Sequence, residues 1–120
     1  MLLVDDSALV TGALRVLLEE TGHRVTTADS VASATAAALA EVPDVLLLDL
    51  TLPDGNGLEV LDRLRTEDRL PRTVVALTGH DDEALAAHCR AAGCRDVVVK
   101  PVPVRVLLAK LREWVGPEAS

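Results

Sequence analysis

Short apolar runs alternate along the chain with longer stretches in which apolar residues recur at helical spacing. Leu2 to Val4 reads as a brief strand that ends on Asp5-Asp6. Ser7 is placed to cap a helix in which Leu9, Val10, Ala13, Leu14, Leu17 and Leu18 are expected on one face, with Gly22 ending it. His23 to Ala28 reads as a second strand, less apolar than the others, as suits an edge. Ser30 caps an alanine-rich helix expected to run to about Val42, and Pro43 closes it. Asp44 to Leu48 has the composition of a buried strand, followed after Asp49 by a segment, Thr51 to Gly57, dense in turn residues and expected to be a loop. A helix carrying Leu58, Val60, Leu61 and Leu64 comes next, then a strand over Thr73 to Leu77 and a helix over Asp81 to Ala92 with Gly93 behind it. A strand over Val97 to Val99 and a last helix over about Val104 to Val115 complete the pattern.

Five strand-then-helix units in succession predict an α/β fold, a doubly wound five-stranded parallel sheet with five helices on its two faces. Unbroken Val and Leu runs fit strands that are covered on both sides. With 120 residues and no linker, repeat or low-complexity stretch, the expectation is one domain over residues 1–120. Composition narrows the class further. Hydrophobic residues make up 49% and charged residues 26% of the chain, which is globular, and the apolar runs are too short to span a bilayer. No signal peptide is expected, because acidic residues follow the first four positions, and a cytoplasmic protein without a membrane partner is the expectation. A net charge of −7 argues against nucleic-acid binding by this domain, and the loose group Arg63, Arg65, Arg69 and Arg72 is interleaved with Asp62, Glu67 and Asp68, as on a solvated face. Cys89 and Cys94 lack partners at metal-ligand spacing and read as reduced structural thiols.

Candidate chemistry follows from strand ends. In an open parallel α/β sheet, ligands bind beyond the carboxyl ends of the strands. Asp5 and Asp6 follow the first strand, Asp49 the third, Thr78 the fourth, and Lys100-Pro101 the fifth. Any one strand-end Asp is more often a cap or turn residue, as Asp44 and Asp81 are expected to be. Three carboxylates, a hydroxyl and an ammonium converging on one rim are a site. Clustered carboxylates repel unless a cation neutralises them, and oxygen ligands without His or Cys favour Mg²⁺. A carboxylate can also act as a nucleophile toward phosphorus, with a metal, a Lys and a hydroxyl supplying charge neutralisation.

Val4-Asp5-Asp6-Ser7, Leu47-Leu48-Asp49-Leu50, Pro53-Asp54-Gly55-Asn56-Gly57, Leu77-Thr78-Gly79 and Val99-Lys100-Pro101 resemble, in order and spacing, the successive motifs of response regulator receiver domains. The resemblance covers essentially the whole chain. It implies a flavodoxin-like sheet of strand order 2-1-3-4-5, and it implies roles. Asp49 would accept a phosphoryl group from the phosphohistidine of a sensor histidine kinase or histidine phosphotransfer protein. Mg²⁺ would be held by Asp6, Asp49 and the backbone carbonyl of Thr51, with Asp5 acting through a bound water. Lys100 would pair with the phosphoryl oxygens, Thr78 would move to hydrogen-bond them, and the Lys100–Pro101 peptide would be cis. The protein would be a regulatory domain rather than an enzyme, slowly dephosphorylating itself, monomeric or weakly dimeric, and switching the face made by its fourth helix, fifth strand and fifth helix. Output would pass to a downstream protein or to an output domain of its own, the chain being either a stand-alone receiver or a piece of a larger regulator or hybrid kinase.

One departure stands out. Receivers usually carry Tyr or Phe three residues before the lysine, where this chain has Val97, and it contains no Tyr or Phe at all. That feature supports an alternative, a pseudo-receiver that binds proteins without being phosphorylated. A haloacid-dehalogenase-like phosphatase would need a second Asp where Thr51 stands. A flavodoxin would need a hydroxyl- and Gly-rich phosphate loop after the first strand and rings to stack on a flavin, and the only ring here besides His is that of Trp114.

Overall fold

The computed structural model describes residues 1–20, 22–79, 82–100 and 103–115. Its elements are β1 (Leu2–Val4), α1 (Ala8–Glu20), β2 (Thr26–Ala28), α2 (Val31–Ala40), β3 (Val45–Asp49), β4 (Thr51–Leu52), β5 (Gly55–Asn56), α3 (Leu58–Thr66), β6 (Thr73–Thr78), α4 (Glu83–Ala91), β7 (Asp96–Val99) and α5 (Val104–Val115). Five strands form one sheet in the order β2-β1-β3-β6-β7, and every pairing in it is parallel. Counted along the chain within that sheet, this is the expected order 2-1-3-4-5.

Strand geometry explains how five short apolar runs serve two cores. Successive side chains on a strand point to opposite faces. Leu2, Val4, Leu46, Leu48, Val74 and Ala76 therefore enter one cluster, beneath Ala34 and Ala38 of α2, Leu61 and Leu64 of α3, and Cys89 of α4. Leu3, Val45, Leu47, Val75, Leu77 and Val98 enter the other, beneath Leu18 of α1 and Leu107, Leu111 and Trp114 of α5. β3 and β6 occupy the middle of the sheet and are buried along their whole length. β2 lies at the edge, with Thr26 and Thr27 exposed.

Three expectations need correction. The helix after β1 does not bury the whole set from Leu9 to Leu18: Leu18 is its one buried residue, and Leu9 is 85% exposed. Those six positions spread over about half of the helical circle, at about 100° per residue, which is more than one face of a sheet can cover. Segment 51–57 is not an open loop, because Thr51 and Leu52 pair antiparallel with Asn56 and Gly55 in a two-stranded hairpin. Gly55 adopts φ 153°, which a side chain would resist, and that conformation turns the chain back at Pro53-Asp54. The alanine-rich helix ends at Ala40 rather than near Val42, its C-cap Glu41 already extended ahead of Pro43. Asp81 and the Lys100–Pro101 peptide lie outside the described residues; α4 is capped by Asp82, whose side chain accepts from the amides of Ala84 and Leu85.

Candidate functional site

Parallel pairing puts the carboxyl ends of β1, β3, β6 and β7 at one edge of the sheet, and the residues that follow each strand meet there. Asp5 is 2% exposed, and one of its oxygens, Oδ1, accepts the Ser7 amide at 2.9 Å. Asp49, the last residue of β3, is 5% exposed, and its Oδ1 accepts the Thr51 amide at 3.0 Å. The Lys100 ammonium reaches both carboxylates, at 2.9 Å from Asp5 Oδ2 and 3.2 Å from Asp49 Oδ2. The Lys100 amide donates to the carbonyl of Thr78 at 2.7 Å, so the last residue of β6, itself buried, borders the same rim. Asp6 is exposed at the mouth, and oxygens of Asp5, Asp6 and Asp49 lie within 4.8 Å of one another.

The five side chains expected from sequence, Asp5, Asp6, Asp49, Thr78 and Lys100, are thus assembled at one edge, with the backbone of Thr51 beside them. No buried side-chain nitrogen or oxygen among the described residues lacks a partner. Electrostatics set the character of the pocket. Burial pushes the Asp49 carboxyl above its ordinary range, against the pull of the Thr51 amide and the Lys100 charge, and the neighbouring Asp5 charge adds to the push. Burial alone would lower Lys100, but its hydrogen bond to Asp5 and the charges of Asp49 and Asp5 outweigh that, and the ammonium is held charged above its usual range. One ammonium faces three clustered carboxylates, a set that repels itself unless a further cation is present. The donors are all hard oxygens, without His or Cys, and one carboxylate opens to solvent. The set fits Mg²⁺, an ion that keeps open positions for water or phosphate.

Two features of the site were not visible in the sequence. Asp54, at the tip of the hairpin, accepts the amides of Val31 and Ala32 at 2.7 and 3.1 Å and so caps α2 together with Ser30. The residues are 23 positions apart, and Pro-Asp-Gly reads locally as an ordinary turn. Gly57 lies so close to the β3 end that an added Cβ would strike the Asp49 carbonyl oxygen and stand 3.1 Å from Leu50 Cα. Elsewhere, Cys89 and Cys94 are free and buried, as reduced structural thiols should be, and burial pushes the Cys94 thiol up to about 12. Val97 is half-buried against the cluster shared with α4, opposite Ala76 of β6. Among the described residues, no helix is long and apolar enough to cross a membrane.

A doubly wound parallel sheet with an acidic pocket and a lysine at its carboxyl edge is the architecture of a signalling receiver. The chain belongs to the response regulator receiver domain family, whose sequence model matches residues 1–112. It is similar to the transcriptional regulatory protein AfsQ1 of Streptomyces coelicolor, 38% identical over 112 residues, which are 93% of this chain and 49% of that one. It is similar also to the transcriptional regulatory protein KdpE of Mycobacterium tuberculosis, 38% identical over 115 residues, covering 96% of this chain and 50% of that one. The chain spans about half the length of these curated relatives. Among solved structures, the beryllofluoride-activated N-terminal receiver domain of RstA from Klebsiella pneumoniae superposes with a TM-score of 0.86 at 27% identity, covering 97% of each chain. The chemotaxis protein CheY4 of Vibrio cholerae gives a TM-score of 0.86 at 26% identity over 93% of this chain and 94% of that one. The chain is therefore a receiver domain of the two-component type, a regulatory module.

Proposed function

We propose that this receiver is switched by phosphorylation of Asp49, with a sensor histidine kinase or histidine phosphotransfer protein as donor and Mg²⁺ as cofactor. The observation that carries the reading is the Lys100 ammonium set between the buried carboxylates of Asp5 and Asp49, with Asp6 close enough to share a cation with both. Asp6, Asp49 and the Thr51 carbonyl would hold the ion, with Asp5 acting through a bound water. When bound, Mg²⁺ supplies the charge neutralisation that lets an anionic phosphoryl group approach three carboxylates. An oxygen of Asp49 attacks phosphorus, the phosphorus–nitrogen bond of the donor phosphohistidine breaks, and the donor imidazole leaves with the bonding electrons. Lys100 exchanges part of its pairing with Asp49 for the phosphoryl oxygens, and Thr78 turns its hydroxyl to them. That rearrangement shifts an equilibrium on the face formed by α4, β7 and α5. Slow hydrolysis of the acyl phosphate by the domain itself resets the switch.

We place this action in the cytoplasm, in one domain over residues 1–120, monomeric or weakly dimeric, addressing a downstream protein or an output domain of its own. Incubation with acetyl phosphate and Mg²⁺ should add one acid-stable, base-labile phosphoryl group, visible by mass spectrometry and absent from Asp49→Asn. Equal labelling of that variant would remove Asp49 from the role. A second reading, a phosphorylation-independent protein-binding module, draws on Val97, which has no ring to swing inward as Thr78 moves. An unlabelled wild-type protein would favour it.

A further inference from the structure

The hairpin that follows Asp49 is fixed at both ends. At its base, the Thr51 amide donates to Asp49 Oδ1 at 3.0 Å, and the Gly57 amide donates to the Leu50 carbonyl at 2.9 Å. Its two strands close through the Thr51–Asn56 and Leu52–Gly55 pairs, and Leu52 is buried in the core shared with α2 and α3. At its tip, the Asp54 carboxylate takes the first two amides of α2, those of Val31 and Ala32, and a Cβ on Gly55 would stand 3.6 Å from the Val31 side chain. The helix does not depend on Asp54 alone for its cap. Ser30 and Ser33 already exchange reciprocal side-chain-to-amide bonds at the same N-terminus. A second, charged cap supplied from 23 residues away is redundant for α2, but it is what joins the hairpin tip to that helix, while on the return strand the Asn56 amide donates to Glu59 Oε2 of α3 at 3.0 Å.

We propose that Asp54 is a positioning residue for the pocket: it anchors the hairpin tip to the N-terminus of α2 and thereby holds the Thr51 backbone in place beside Asp49. A carboxylate suits that post, because two amides and the positive end of the helix dipole favour the charged form. The same amides hold its carboxyl below the ordinary range. The consequence for Mg²⁺ rests on the reading of Asp49 and Thr51 as its ligands. The tether itself does not, and the test separates the two.

Asp54→Ala and Ser30→Ala both remove a cap from α2, but only Asp54→Ala releases the hairpin tip from that helix, leaving the hairpin held by its base and by the Asn56–Glu59 bond. In metal-free protein, hydrogen exchange of the Thr51 and Asn56 amides should quicken roughly 10-fold or more in Asp54→Ala and change little in Ser30→Ala, while exchange in the body of α2 responds alike in both. In a Mg²⁺ titration followed by amide NMR shifts, the Kd should rise about 3- to 10-fold in Asp54→Ala and stay near the wild-type value in Ser30→Ala. Asp54→Asn keeps one acceptor oxygen without the charge; it should fall between, and it serves if the alanine variant folds poorly. Equal exchange at Thr51 and Asn56 in the two cap variants would overturn the tether. Faster exchange with an unchanged Kd would overturn its role in the pocket. A wild-type protein that bound no Mg²⁺ would instead count against the pocket reading, leaving the exchange result to decide the tether.

Discussion

Lys100 and Asp5 are 95 residues apart in the chain and 2.9 Å apart in the fold. The same ammonium stands 3.2 Å from Asp49, so one cation at the end of β7 ties together the ends of β1 and β3, which are neighbours in the sheet. Both carboxylates are buried and the lysine side chain is 30% exposed, so the charges are screened on one side only. Such an arrangement holds the pocket together with an internal counter-ion that two carboxylates share.

Removing that counter-ion leaves two buried carboxylates facing each other. Lys100→Met should lower metal-free stability by about 1–3 kcal/mol, the cost of leaving charged groups buried without their partner, reduced by the partial exposure of the site. Mg²⁺ should restore more stability to the variant than it adds to the wild type, because it neutralises the same charges. Urea denaturation with EDTA and with Mg²⁺ measures both. A variant as stable as the wild type without metal would show that water already screens the pair.

The pocket also sets a pH dependence with two limbs. The folded-state pKa of Asp49 is raised above its ordinary 3.8, chiefly by burial. A raised carboxyl contributes stability below 3.8 that is lost as pH climbs through the folded value. Asp49→Asn should therefore melt higher than the wild type near neutral pH without metal, and the difference should shrink toward pH 3.8. The folded-state pKa of Lys100 lies above its ordinary 10.5, because its bonds to Asp5 and Asp49 outweigh the opposing effect of burial. Its contribution is full below 10.5 and is lost as pH rises through the folded value. Lys100→Met should lack that alkaline loss. Melting temperatures measured against pH in EDTA separate the limbs.

Gly57 is constrained by space rather than by its backbone angle, which is ordinary helical, φ −54°. A methyl group there would press on the Asp49 carbonyl and on Leu50, backbone atoms at the end of the central strand. Gly57→Ala should cost about 1–3 kcal/mol through overpacking. It should also disturb the Asp49 and Thr51 amides more than a substitution on the exposed side of α3, such as Asp62→Ala. NMR shifts together with a urea melt read both effects. A variant matching the wild type in each would mean that the β3 end gives way freely.

Much of this was legible in the chain because parallel sheets translate strand order into a single functional edge. Once Leu2–Val4, Asp44–Leu48, Thr73–Leu77 and Val97–Val99 are read as strands, Asp5, Asp6, Asp49, Thr78 and Lys100 have to share that edge. The four apolar positions of α3, Leu58, Val60, Leu61 and Leu64, were equally plain, and all are buried. What the chain hid were relations without local periodicity. Leu9 and Val16 look like core residues by type, but apolar residues spread over half of a helix's circumference do not say which side the sheet covers, and both are exposed. Asp54 meets Val31 only through tertiary packing, and no spacing rule links a turn residue to a helix 23 positions earlier. The hairpin itself is two residues per strand, too short for an alternating pattern to register.

The last prediction concerns the single indole. Trp114 is 4% exposed and packs in the cluster that holds Leu18, Val25, Leu107 and Leu111, on the α1–α5 side of the sheet. It stands ten residues beyond Val104, about 15 Å along α5 from the pocket rim at 1.5 Å per residue. Val97, the residue that usually carries a ring for relaying change outward, faces the opposite cluster. Mg²⁺ or beryllofluoride should therefore leave the Trp114 emission nearly unchanged, with a blue-shifted maximum typical of a buried indole. Urea should shift it to the red together with the loss of helical circular dichroism. Leu18→Ala, which opens a cavity in the same cluster, should lower the midpoint by the equivalent of about 2–5 kcal/mol and alter the native emission. A strong quench by Mg²⁺ in a monomeric sample would contradict this, and would place a coupling route through α5 rather than through β7.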